Sequence, residues 1–501
     1  MAGESAEARA GAGRLVSGMF WNALGRGLPL LLALALTPVL VAQMGLERWG
    51  LFTLALAMVG VFGIFDLGIG PALTRAISER MTQGRGGESP ALVGTALVAL
   101  GGFATLAAAA LWFALPALVH SALNVPPALE EEALLAFRIL AAAAPLVVVN
   151  AALWGVLAAH QRFRAANLVT IPVSVMYYLG PVLALMAWPS LVAVMLVLVA
   201  CRLANTLSYA WLARPVLGGM RVGSPRLVLP LLRIGGWMTV SSILNQALVY
   251  ADRFVIGAVL TLAAVAHYAT PLDLVMRMWI LPVAVAQALL PAMAGAFAAL
   301  PAVTAALLRR GALLVAALAL PACLVLAGAG DWLLGLWLGA AFAAEGGTVA
   351  RILGAGIFFS CLAYVPNALL DAIGRPDATA ALVAAELALF LPVLWWLLHR
   401  FGIEGAALGW ALRAAADCAG KAWLAARLYP AARPAVRALL PGLAAAALAL
   451  ALTAWAPARP LAAGLALAGA ALAAVLLLRA LSPEERRALR HPREARRLLA
   501  A

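Results

Sequence analysis

Apolar runs, each long enough to cross a bilayer, recur along the whole chain and are separated by short polar joints. A helix spanning the hydrocarbon needs roughly 20 such residues. The runs predict helices at 15–42, 49–73, 91–119, 133–159, 168–188, 190–213, 231–257, 267–299, 305–329, 348–371, 378–399, 403–427, 435–456 and 459–480. The expected fold class is all-α: a polytopic membrane protein of about fourteen transmembrane helices. No joint is long or polar enough for a separate soluble domain. The first run is too long for a signal-peptide core and has no small-residue cleavage site after it, so it reads as a retained helix.

Charge placement gives the orientation. Among the basic residues assigned to joints and ends, 24 fall on one side, including Arg75, Arg80, Arg162, Arg309, Arg375 and Arg427, and 4 on the other (Arg48, Arg351, Arg400, Arg459). Lys/Arg bias marks the cytoplasmic face, so both termini are expected there. Ser482-Pro-Glu-Glu485 reads as a capping box opening a short basic helix against the anionic leaflet. Composition agrees, with 65% hydrophobic and 11% charged residues among 501. The net charge of +14 reflects this placement, and no nucleic-acid partner is expected. Cys201, Cys323, Cys361 and Cys418 stand singly in apolar runs and read as small hydrophobes.

Weak internal matches recur at near-constant spacing: Trp21 with Trp237, Gly50-Leu-Phe52 with Ala266-His-Tyr268, and Asn150-Ala with Asn367-Ala. Such spacing suggests two six-helix halves in the same orientation. The expected organisation is an N-terminal lobe at 1–213, a C-terminal lobe at 214–430, two extra helices at 431–480 and a basic tail at 481–501.

The ionisable residues inside the apolar runs carry the functional signal, because such groups are costly in a bilayer and mark pathways. Asn22 and Arg26 share a face of the first helix, and Gln246, Tyr250 and Arg253 form a stripe on the seventh. His267, Tyr268, Asp273 and Arg277 follow. Arg413, Asp417 and Lys421 form a ladder on the twelfth helix, while Asp66, Arg138, Arg202 and Glu386 have no partner on their own helices. Arg138 is near a helix end and is expected to snorkel. Trp154, Tyr177, Tyr178 and Trp188 read as interfacial belts or packing. Deep bases outnumber deep acids, and the arginine fork suits phosphate oxygens. A cavity of that character fits an anion. No metal-spaced cluster, phosphate loop or catalytic constellation is present, so no catalytic or metal-ligating residue is assigned.

Several motifs resemble one family. Gly45-Leu-Glu-Arg-Trp-Gly-Leu-Phe52, Phe65-Asp-Leu-Gly-Ile-Gly-Pro-Ala-Leu-Thr-Arg75, Tyr250-Ala-Asp-Arg-Phe-Val-Ile-Gly257 and Ala372-Ile-Gly-Arg-Pro376 are similar to those of Wzx-type lipid-linked oligosaccharide flippases. These belong to the multidrug/oligosaccharidyl-lipid/polysaccharide (MOP) exporter superfamily. The resemblance implies a V-shaped pair of lobes around a cavity with alternating access. It implies an isoprenoid-diphosphate-linked glycan as cargo, the bacterial inner membrane as location, and polysaccharide polymerase machinery as a partner. The expected substrate-binding residues are Arg26, Arg202, Arg253, Arg277, Asn22, Tyr250 and Tyr268. Asp66, Glu386 and Asp417 are the ion-coupling candidates, with an H+ or Na+ gradient in place of any cofactor. A peptidoglycan-precursor flippase and a cation-coupled multidrug exporter of the same superfamily remain open. A membrane glycosyltransferase or polymerase is disfavoured by the short outer joints.

Overall fold

The computed structural model describes residues 2–62, 69–219, 221–223, 229–456 and 459–480, and side chains from 27–60, 73–85, 87–162, 164–215, 218–219, 221–223, 244–456 and 463–480. The expected positions of Asn22 and Arg26 (side chains), Asp66 and the basic tail lie outside the described residues. In order, the helices are α1 (Ala2–Phe62), α2 (Ile69–Thr82), α3 (Ser89–Ala117), α4 (Pro127–Ala142), α5 (Ala144–Ala159), α6 (Phe163–Ala187), α7 (Leu191–Leu217) and α8 (Leu229–Val259). Then come α9 (Leu262–Met276), α10 (Ile280–Ala296), α11 (Pro301–Leu338), α12 (Ala340–Ala372), α13 (Pro376–Leu428), α14 (Arg433–Ala454) and α15 (Arg459–Ala480). No strand occurs among the described residues. Eleven helical stretches among them are long and apolar enough to span a membrane, and the protein is a multi-pass, all-α membrane protein.

Several expected boundaries have clear physical causes. Gly45 (φ 76°) and Gly402 (φ 57°) break α1 and α13 in the joints foreseen between apolar runs, because positive φ is cheap only without a Cβ. The single helix expected over 133–159 is instead two, α4 and α5, interrupted at Ala143. Pro145 lacks the backbone donor that would continue the ladder. The run expected over 267–299 is likewise divided by a 3-10 turn at Arg277–Trp279.

The chain forms two compact units, Met1–Ala266 and His267–Ala501. In the first, Leu73, Ile77, Leu92, Val93, Leu100, Val148, Leu153 and Val156 form one buried cluster from α2, α3 and α5, joined by Tyr209 and Ala213 of α7. Alanines at 76, 96, 104 and 152 in the same cluster let backbones approach, as membrane packing requires. Asn124 binds α8 into this unit: its Nδ2 donates to the carbonyls of Ala258 (3.0 Å) and Leu260 (2.8 Å), and its backbone N–H to that of Gly257 (2.9 Å). These bonds satisfy carbonyls at a helix C-terminus that have no partner within the helix.

In the second unit α11, α12 and α13 pack side by side. Gly354 of α12 touches Leu326 and Ala327 of α11, and Gly356 touches Ala411 and Trp410 of α13, with no room for a Cβ at either. Arg351, one of the four arginines expected on the outer side, forms a clasp between helices. Its Nε donates to the Ala327 carbonyl (3.0 Å), and its Nη2 to those of Thr453 (3.2 Å) and Ala456 (3.0 Å). The cation thus meets the C-terminal carbonyls of α14, where the dipole is negative.

Candidate functional site

In the first unit, helical spacing brings polar groups from three helices to one place. Ser174 lies four residues after Thr170 on α6, Tyr177 and Tyr178 lie three and four after Ser174, and Asn205 lies three after Arg202 on α7. With Asn150 of α5 and apolar Pro29, Leu146, Val147 and Val173, they line a cavity of about 280 Å³. The Arg202 guanidinium lies 5.9 Å from the Tyr177 ring centroid, a cation–π distance. Among the described residues, Arg202 Nε and Asn205 Oδ1 are buried without a hydrogen-bond partner. Asn150 Nδ2 donates to Thr206 Oγ1 at 3.3 Å, which fixes the amide from behind. The cavity therefore offers a cationic fork, two amides, hydroxyls and two aromatic rings inside a membrane-embedded unit. Tyr177 and Tyr178, read from sequence as belt or packing residues, line this cavity. Their spacing with Thr170 and Ser174 was the available signal.

The α8 stripe is also in this unit. Gln246 Nε2 donates to the Gly60 carbonyl at 3.1 Å, and the Tyr250 ring lies against Gly60, so the stripe packs on α1. Arg253 is only 1% exposed, with its guanidinium 5.3 Å from the Tyr250 ring. Asp252 is fully buried, and its Oδ1 accepts from the Arg253 backbone N–H at 2.8 Å. Of the expected binding arginines whose side chains are described, Arg202 is the one that lines this cavity. Arg138 stacks on Trp112 (5.1 Å).

In the second unit, Tyr268 is fully buried and His267 packs edge-on against Phe342 at 4.7 Å. Arg277 sits exposed in the 3-10 turn. The ladder on α13 resolves into two arrangements. Lys421 Nζ lies 2.8 Å from Asp417 Oδ1 and 2.9 Å from Oδ2. Arg413 instead stacks against Phe390 and Trp410, 5.6 Å from each centroid. Glu386, on the other arm of α13, is 8% exposed. Among the described residues no group of three or more His, Cys, Asp or Glu side chains forms a metal cage.

The all-helical fold, with a polar cavity among its apolar helices, is similar to that of solved membrane transporters of the MOP superfamily. The solved structures agree. An inward-facing multidrug-resistance MATE family transporter of that superfamily has a TM-score of 0.70 at 15% identity, over 81% of this chain and 96% of its own. The lipid II flippase MurJ, in an inward closed conformation, has 0.67 at 10% identity, over 91% and 98%. At those identities the likeness is one of fold. More particularly, the chain belongs to the polysaccharide biosynthesis protein family, whose model matches residues 15–297. A Shigella flexneri protein named "Putative O-antigen transporter" is 25% identical over 418 residues, spanning 83% of this chain and 98% of the relative.

Proposed function

We propose that the protein is a flippase that moves an isoprenoid-diphosphate-linked oligosaccharide across the bacterial inner membrane for surface polysaccharide assembly. The observation that carries this reading is the cavity holding Arg202 beside amides, hydroxyls and two tyrosines. An arginine placed deep in a bilayer costs about 2.5–3.5 kcal/mol on insertion scales, and binding an anionic or sugar group offsets that cost. Family membership and the O-antigen transporter relative support the same cargo class. Cargo would be held and released by alternating access, without covalent chemistry. Repeated lobes at 1–213 and 214–430, with two added helices and cytoplasmic termini, belong to the same proposal. A peptidoglycan-precursor flippase is the second reading, favoured by the MurJ likeness over nine-tenths of the chain.

The deciding experiment depletes the protein in cells and measures leaflet accessibility of the lipid-linked intermediates that accumulate. A surface-polysaccharide intermediate trapped on the cytoplasmic leaflet is the expected result. Accumulation of a peptidoglycan precursor would transfer the assignment to the second reading, and normal distribution of both would sink the flippase function.

A further inference from the structure

The Arg351 clasp forms part of the wall of another cavity, of about 440 Å³, within the unit His267–Ala501. Residues of α12, of the bend in α13 and of the end of α14 line it. Gly402 (φ 57°) lets α13 turn back on itself, which sets Phe401 and Glu404 on either side of one bend, both in the cavity wall. Gly405 then lies against the Leu397 backbone with no room for a Cβ, so the bend is tightly fixed. Trp455 caps α14, two residues after the Thr453 whose carbonyl Arg351 holds.

The cation of this cavity is braced from one side. Arg351 uses Nε and Nη2 for its three carbonyl bonds, and none of the three involves Nη1. A guanidinium already held in this way offers its remaining N–H groups without the entropy cost of ordering a free side chain. Glu404 is exposed and belongs to none of the ion pairs among the described residues. Phe401 is 58% exposed and Trp455 65%, both at ends of apolar spans, where aromatic rings anchor in the headgroup layer. Buried Ile352 adds an apolar surface to the lining.

An ordinary aromatic belt would account for the two rings, but not for a fixed cation and an unpaired carboxylate in the same lining. Those two charges suit a ligand that carries both signs. A purely anionic group would leave Glu404 opposed, and a purely cationic one would leave Arg351 opposed. A phosphodiester with an ammonium one ethylene unit away satisfies both. The arginine fork takes phosphate oxygens, while the carboxylate and the Trp455 ring take the ammonium. The surrounding helices are long and apolar enough to span a membrane, so such a group would reach them as the headgroup of a lipid.

We propose that this cavity binds the headgroup of a zwitterionic phospholipid, with Arg351 on the phosphate and Glu404 on the ammonium. The bound lipid joins the clasp that links α11, α12 and α14 to the second arm of α13, and so braces that corner of the unit. The site shares no residue with the Arg202 cavity.

Native mass spectrometry of the purified full-length protein, delipidated in mild detergent, tests the assignment. The probes share their acyl chains: phosphatidylethanolamine, phosphatidylglycerol, and a diacyl trimethylammonium-propane lipid that lacks phosphate. Phosphatidylethanolamine should bind about tenfold more tightly than either of the others, since each of those forfeits one charge-assisted contact. Glu404→Gln should bring it down to the level of phosphatidylglycerol, with an unchanged unfolding temperature because the exposed carboxylate makes no ion pair that the fold would lose. Equal binding of all three lipids to the wild-type protein overturns the proposal without any variant. Selectivity that survives Glu404→Gln places the site elsewhere and also overturns it. Displacement of the lipid by an equal concentration of soluble phosphoethanolamine would make the free amino-phosphate the ligand and overturn the lipid assignment. No cargo is present in the measurement, so its failure leaves the flippase reading untouched.

Discussion

Arg48 Nε donates to Glu132 Oε2 at 2.9 Å, joining the joint region of α1 to the first turns of α4. The same carboxylate accepts from Ser190 Oγ at 2.7 Å and from the Leu191 backbone N–H at 2.6 Å, at the start of α7. One acid therefore ties three helices of the first unit together on the side expected to face outward.

The three bonds differ in worth. Glu132 is 15% exposed, whereas Arg48 is 36% exposed and largely screened by solvent. Removing Glu132 strands a helix-terminal N–H and a hydroxyl, so Glu132→Ala should cost about 2 kcal/mol. Arg48→Ala should cost about 0.5 kcal/mol or less. Thermal unfolding in detergent checks the order, and an Arg48→Ala loss equal to that of Glu132→Ala would disprove it.

Gly50 gives a second prediction. A Cβ at this position would overlap the Leu262 carbonyl at the start of α9, which is backbone and cannot swing away. Gly50→Ala should destabilise the first unit by about 1–3 kcal/mol, the usual cost of overpacking. Reduced yield and a lowered unfolding temperature are expected. A fully stable Gly50→Ala protein would show that the Gly50–Leu262 approach is not maintained.

These contacts show where sequence reading stops. Apolar runs reveal helices because burial in lipid depends on composition, and the breaks at Gly45 and Gly402 fall in the polar joints the pattern left open. The break at Ala143 was missed because Pro145 interrupts hydrogen bonding without interrupting hydrophobicity. In the site, residue types were legible and partners were not. Asp417 has a base four residues away in either direction, and only the packing of Phe390 and Trp410 against Arg413 leaves Lys421 as its partner. Likewise Asn150 and Asn367 match in the expected repeat, yet one bonds Thr206 across helices and the other bonds Asp371 on its own helix. The Arg202 cavity draws on α5, α6 and α7, whose register is set by tertiary packing.

The orientation proposal is open to labelling. Gly84 lies in the exposed turn after α2, and Glu131 is exposed near the start of α4. With the native cysteines replaced, a cysteine at position 84 should react only with a membrane-permeant reagent. One at 131 should react with an impermeant reagent added to intact cells. The reverse pattern would invert the arginine argument.

The cavity yields the last prediction. If Arg202 binds an anionic or sugar group of the cargo, its loss should be felt in transport more than in stability, because among the described residues its Nε makes no hydrogen bond that the fold would lose. A charge-assisted hydrogen bond is worth about 1.5–3 kcal/mol, so Arg202→Ala should slow transport by roughly tenfold to a hundredfold. Protein abundance should stay near normal, since the stacking on Tyr177 is a modest cation–π contact. Arg202→Lys should recover only part, because a point charge returns without the planar fork. Asn205→Leu supplies the neutral counterpart: among the described residues its Oδ1 is also unpartnered, so the substitution should weaken transport through cargo contact. Measuring abundance and leaflet transport together separates the cases. Parallel loss of both in Arg202→Ala would make the arginine a structural element, and full transport in both Arg202→Ala and Asn205→Leu would remove this cavity from the pathway.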